Sequence, residues 1–324
     1  MPPNPAAAGA GGGTSSPSAT PGGTTGTFGS TRPAGVPAPG GGTVPPPAAS
    51  SGTAPKPSPM AAAQAKVAAF ASGSGAAAFK KIARAAVARG LSARLTDPNG
   101  IDQAGSSLCG PSVFIRRIAA TDPVAYVTFI IDLYQTGQGH IGDLKVKAGD
   151  DLRDYDPGGR IDPSDWIAIA SVRDSGNWFF DYQDVNNEVA GITMPSALES
   201  WFRKVGYRDI VNETNVFLTK DEDCLKKASE LWGKDYWVCL FISFQMIEAN
   251  DPKKHTHPSH DSSTTPDHWV ALTSAIDISP DKTSVKFTVY SWGHGHWAVP
   301  NTPSDKLSVK EILDNFYGFV AVRH

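Results

Sequence analysis

Past Met60 the chain carries two kinds of hydrophobic pattern, one after the other. Residues 62–91 are rich in Ala, with Val67, Phe70, Phe79 and Ile82 spaced among them and a break near Gly73 to Gly75. This predicts one or two short helices ending at Gly90. Asp97, Pro98, Asn99 and Gly100 then make a turn signal. After the polar segment 101–112, Val113, Phe114 and Ile118 recur at helical spacing, and Pro111 sits where a first helical turn tolerates proline. Cys109 is therefore predicted to open a helix. A second apolar helix is predicted over 124–134, started by a turn at Thr121 to Pro123 and closed by Gly137 and Gly139. Amphipathic spacing and start signals predict further helices over 164–172, 195–205 and 221–232.

From Tyr236 the grammar changes. Residues 237–247, 268–278, 284–290 and 316–322 are β-branched or aromatic runs bounded by Pro, Asp or Gly, which predicts four strands. Ser279, Pro280, Asp281 and Lys282 between the second and third read as a hairpin, so the sheet is predicted to be antiparallel. Helices first and a sheet after them define an α+β fold.

Composition changes the picture at the N-terminus. Of the first 60 residues, 52 are Gly, Pro, Ala, Ser or Thr, and only Arg32 and Lys56 are ionisable. Ordering each residue costs roughly 1–2 kcal/mol of backbone freedom, and almost nothing bulky is there to be buried in return. Residues 1–60 are therefore predicted to be a disordered leader, and 61–324 the folded domain, with 61–95 as its helical lead-in. The leader has no Gly-X-Y period, which excludes collagen, and no cationic start with an apolar run, which argues against a secretory signal. The chain carries 29 basic and 32 acidic side chains, a formal charge of −3, without a basic run. That argues against a partner held by charge alone, whether nucleic acid or anionic membrane. The longest apolar stretch, 237–247, falls far short of the ~20 residues of a membrane helix.

Three cysteines, Cys109, Cys224 and Cys239, are an odd number at wide spacings and make neither a disulfide framework nor a zinc knuckle. A thiolate is the attacking species, and a helix N-terminus and a nearby imidazolium both favour it. Cys109 has the first. His268, at the start of a strand where a long polar loop meets the sheet, is the candidate for the second. Gln103, six residues before Cys109, is placed to donate its amide to an oxyanion beside the Cys109 backbone N–H. The small polar residues Gly105, Ser106 and Ser107 leave a carbonyl substrate room to approach, and Gly110 removes a side chain next to the sulfur. Against this, free cysteine is among the most buried residue types, and Cys224 and Cys239 read as core. His268 before Trp269 can equally cap a strand. His255, His257 and His260 sit in a Lys-, Pro- and Ser-rich loop that suits a lid better than a zinc site, which needs fixed geometry; no metal or cofactor is expected. His294 and His296 flank Gly295 and either line the cleft or solvate a turn.

Gln103, Cys109 and His268, together with Ser291, Trp292 and Gly293 after Tyr290, resemble the papain-like cysteine peptidases, including the bacterial double-glycine leader peptidases. In that superfamily a Gln precedes the nucleophilic Cys by about this distance, the Cys begins the central helix, and the His lies on an antiparallel sheet whose next strand runs into Ser-Trp-Gly. The resemblance covers about 101–112 and 268–293 by motif. It implies a papain-like fold, a helical subdomain with the Cys at a helix N-terminus packed on the antiparallel sheet that carries the His. The family's third member, an Asn or Asp just before or at Ser-Trp-Gly, fixes the imidazole tautomer; Tyr290 and Ser291 stand there in this chain. Asp277 and Asn301 are further candidates, whereas Asp267 adjoins His268 on the strand and points to the opposite face. The resemblance also implies that Trp292 shields the His hydrogen bond from water.

The resulting expectation is a thiol-dependent amide hydrolase acting on a protein or peptide. Cys109 attacks, His268 shuttles the proton, Gln103 and the Cys109 N–H hold the oxyanion, and Ser291 stands as the orienter. The same apparatus removes ammonia from a glutamine or asparagine side chain or joins it to an amine, and without an Asn or Asp the fold also suits an inactive binding module. A papain-like domain behind a Gly/Pro/Ala-rich leader resembles bacterial toxins or effectors exported by specialised secretion machines. That implies export from a bacterial cell by such a machine or action in a target-cell cytoplasm, with an inhibitory immunity protein as partner.

Overall fold

The computed structural model describes residues 57–177, 192–248, 265–300 and 306–324. The expected leader lies outside the described residues up to position 56, and its last residues belong to the fold. Helix α1 (Pro59–Ser72) starts with proline in its first turn, and Ser58 caps it by accepting from the Ala61 N–H at 3.2 Å. The chain breaks at Gly73 as expected, but α2 (Arg84–Thr96) runs past Gly90. Gly90 is a point of close approach and not a stop, because a Cβ there would lie 2.2 Å from Asp162 Oδ1.

Helix α3 (Cys109–Thr121) begins at the expected residue, and Val113, Phe114 and Ile118 are buried, joined by Ile115 and Ala119. The burial extends round much of the helix because α3 is central, with α4 (Pro123–Thr136) and the sheet packed on different sides of it. Asp122 caps α4 and Gly137 closes it. Next comes a small hairpin, β1 (Gln138–Ile141) and β2 (Leu144–Lys147), which the sequence pattern did not reveal. Its strands are four residues long, too short for an alternation to stand out. After α5 (Asp150–Arg153), α6 (Pro163–Asp165) continues through a π-helical turn, Trp166–Ala170, into α7 (Ser171–Asn177). Helix α8 (Pro195–Lys204), strand β3 (Asp209–Asn212) and helix α9 (Glu222–Trp232) follow.

The apolar run 237–247 is not one strand: β4 (Trp237–Ile242) ends at a turn and α10 (Gln245–Glu248) takes up the rest. There the Ser243 N–H turns to the Asn315 carbonyl and the Phe244 N–H to the Asp267 carboxylate, so the ladder stops. The run 268–278 likewise splits into β5 (His268–Leu272) and the short β6 (Asp277–Ile278), which pairs with β7 (Val285–Ser291) across the expected hairpin. Strand β8 (His294–Val299), helix α11 (Val309–Leu313) and strand β9 (Phe316–Arg323) complete the chain.

The main sheet is antiparallel in the order β3-β9-β4-β5-β7-β6, with β8 also on β7. The last strand is inserted between β3 and β4, pairing Cys239 with Val320 and Leu240 with Phe319. Alternate residues of β4 serve two cores. Trp237, Cys239 and Phe241 join Trp269, Ala271 and Tyr290 in a core shared with the helical layer. Val238, Leu240 and Ile242 join Val270, Leu272 and residues of α9, α10 and α11 in a second core. All six β4 residues are buried, which is why the strand reads as continuous apolar sequence and not as an alternation. The fold is α+β. Among the described residues no helix is long and apolar enough to cross a membrane.

Candidate functional site

Cys109 is the first residue of α3, and the N-cap position before it is Leu108, whose side chain cannot accept a hydrogen bond. The first-turn N–H groups are thus left without a side-chain cap, and Pro111 has none to offer. Helix α3 packs against β5, and the Cys109 sulfur there meets the Trp269 backbone N–H. His268, the residue before Trp269, opens β5. Its Nε2 lies 2.9 Å from Ser291 Oγ at the end of β7. The Trp292 ring stacks on the imidazole with centroids 4.6 Å apart and planes 17° from parallel. Phe244 packs beside the stacked pair, nearly perpendicular to both rings, with centroids 5.8 Å from His268 and 5.2 Å from Trp292.

Trp292 reaches this place through an unusual turn. Ser291 pairs with His294, so the β7–β8 hairpin turns on Trp292 and Gly293, and both have positive φ, 43° and 72°. A two-residue turn of this kind favours Asn-Gly, and a left-handed conformation costs an ordinary residue roughly 1–2 kcal/mol. Strain at that position is tolerated where the surroundings fix the side chain, and here the ring covers His268 and packs on Trp297. The same turn explains why β8 escaped the sequence pattern: Trp-Gly does not read as a hairpin signal, and β8 is polar and half-exposed at the sheet margin. His294 and His296 are exposed on that strand, and His294 lies edge-on to Trp297.

Gln103 is buried in the loop that leads into α3, and its Oε1 has no hydrogen-bond partner. The loop is pinned on two sides. Asp165 accepts from the Asp102 N–H at 2.9 Å while forming a buried ion pair with Arg94 at 2.6 Å, and Tyr290 Oη donates to the Ile101 carbonyl. Burial pushes the Asp165 carboxyl up to about 6 against the pull of Arg94. Beyond Gln103, Gly105 and Ser107 are exposed, so the rim of the loop is open as its composition suggested.

Among the described candidates for a third member, Ser291 alone is bonded to the imidazole. Tyr290 points the other way, into the core shared with the helices. Asp277 pairs with Lys286 at the far end of β7, and Asp267 accepts from the Phe244 N–H. Asn301 and the histidines at 255, 257 and 260 lie outside the described residues.

Two expectations need correction. The helix start does not leave Cys109 as a thiolate: at 4% exposure its burial pushes the thiol up to about 11, although the N–H groups of Trp269 and Gly110 pull it down. Burial also lowers His268 to about 3, so imidazole and thiol both rest uncharged at neutral pH. Nor does Gly110 leave open space beside the sulfur, because the Thr193 side chain fills it. Thr193, Phe244 and the Trp269 main chain were not visible as site residues, since each arrives through tertiary packing. The one available signal was the glycine after the cysteine, which admits a neighbour as readily as a ligand. Cys239 is buried as expected, whereas Cys224 is half-buried on α9. Among the described residues no three His, Cys, Asp or Glu side chains gather as a metal site.

No protein-family model, curated protein or solved structure matches the chain.

Proposed function

We propose that the protein is a thiol-dependent amide hydrolase of papain-like design, acting on a protein or peptide. The observation that carries this reading is the juxtaposition at β5: the Cys109 sulfur against the Trp269 N–H, and the preceding His268 held through Nε2 by Ser291 under Trp292. With Nε2–H donating to Ser291, Nδ1 is the free basic nitrogen. The reaction begins from the uncharged pair. As sulfur attacks the amide carbon, the thiol proton moves to Nδ1, and the carbonyl oxygen takes up the negative charge facing the uncapped first turn of α3 and Gln103. Collapse of the intermediate breaks the C–N bond, the imidazolium returns the proton to the leaving nitrogen, and water hydrolyses the thioester.

Mass spectrometry of casein after incubation with the wild type and with Cys109→Ala tests the reading. New termini formed by the wild type alone support a peptidase. A gain of about one dalton per glutamine with the chain intact assigns the same site to deamidation. An unchanged spectrum from casein and from glutamine-containing peptides, with Cys109 no more reactive to iodoacetamide than an ordinary thiol, refutes it.

A further inference from the structure

Three contacts around the site close into a ring. The Trp269 N–H meets Cys109 Sγ, and Trp269 Nε1 donates to the Thr193 carbonyl at 2.8 Å. The Thr193 side chain in turn occupies the place of a missing one at Gly110, where an added Cβ would lie 2.4 Å from Thr193 Cβ and Oγ1 and 2.7 Å from Cγ2. Gly110 follows Cys109 and Trp269 follows His268, so one residue, 1% exposed, grips the neighbours of both reacting groups.

We infer that Thr193 is a positioning residue that locks the first turn of α3 to β5 and thereby sets the approach of Cys109 to His268. The inference rests on the amide-hydrolase reading. A helix turn and a strand end meeting edge to edge have no ladder of hydrogen bonds to hold their spacing, and a tightly packed wedge supplies it. The wedge acts by shape. Thr193 Oγ1 is buried without a partner, so the hydroxyl adds no hydrogen bond to the grip, and valine fills the same space. Gly110 is the other half of the device, because any side chain there displaces the wedge.

Alkylation by iodoacetamide, followed on the Cys109 peptide of the full chain, reads this alignment without a substrate. Sulfur displaces iodide while its proton passes to a base, so an aligned imidazole sustains the rate near pH 6, where an unassisted thiol is slow. Thr193→Gly is expected to lower that rate roughly tenfold to a hundredfold, to the level of His268→Ala, and Thr193→Val to restore it to within about twofold of the wild type. Gly110→Ala lowers it likewise, and Gly110→Ala combined with Thr193→Gly regains it, because the new methyl enters the emptied space. Thermal unfolding of each variant limits the comparison to folded protein; if Thr193→Gly shows no transition, Thr193→Ala takes its place with the same expectation. A wild-type pH profile in the variant without the wedge, or a double variant no better than Gly110→Ala, overturns the clamp and leaves the hydrolase reading standing. Equal rates in the wild type and His268→Ala overturn both.

Discussion

Cys109 and Cys239 are sealed in the same apolar core, yet the two thiols have different surroundings. Burial pushes both thiols up, Cys109 to about 11 and Cys239 further still. Cys239 sits mid-strand, paired with Ala271 on one side and Val320 on the other, so the amides near it are spent on the ladder. Cys109 sits where a coil becomes a helix, with no side-chain cap on the first turn, the N–H groups of Trp269 and Gly110 at its sulfur, and His268 next to Trp269 on β5. Burial alone therefore says nothing about reactivity. What distinguishes the two is position: Cys109 opens a helix against the strand that begins with His268, whereas Cys239 lies within a strand paired on both sides.

The sharpest way to break this comparison is to remove each sulfur in turn. Cys109→Ala is expected to lower turnover of a casein-derived peptide by about a thousandfold or more, with Cys239→Ala retaining it. Equal losses would show that the two sites do not differ in kind. A second test uses acid. His268 is held neutral in the fold, its pKa lowered from 6.5 to about 3, so below pH 6.5 the unfolded chain takes up a proton that the folded chain refuses. Unfolding is then favoured as pH falls, and the stability this group contributes above 6.5 is lost progressively towards 3. Between pH 7 and pH 4 this amounts to about 3 kcal/mol, which His268→Gln should abolish when urea unfolding is compared at the two values.

Smaller effects sharpen the contrast. Ser291→Ala frees the ring to turn and is expected to lower kcat roughly tenfold to a hundredfold with KM little changed, read from steady-state kinetics on the same peptide. An unaltered kcat would remove Ser291 from the site. The smallest change is in stability at the inert thiol: Cys239→Ala is expected to cost about 1–2 kcal/mol in urea unfolding through the small cavity left between β4 and the helical layer.

Much of the fold was legible. The start of α3 at Cys109, the close of α4 at Gly137 and the cap of α9 at Asp221 follow from residues that act within a few positions of themselves. The apolar runs marked the central strands, but not their ends, because Phe244, Met246 and Ile247 are as hydrophobic as β4 and the chain turns there on the distant Asp267 carboxylate and Asn315 carbonyl. The candidate site was legible to a similar depth. Cys109, His268 and Ser291 carry recognisable chemistry, whereas Thr193 is an unremarkable residue until Gly110 and Trp269 are seen on either side of it.

The amino-acid sequence by itself determined where the main helices begin, which apolar runs form the central strands, and which side chains carry a thiol, an imidazole or a hydroxyl. Those properties depend on propensity, capping and functional groups, all of them local. Only the tertiary structure decided that β9 lies beside β4, that Ser291 and not Tyr290 meets His268, and that Cys109 and His268 both rest uncharged. Strand order, side-chain partners and desolvation depend on surfaces brought together from distant parts of the chain, and no local pattern encodes them.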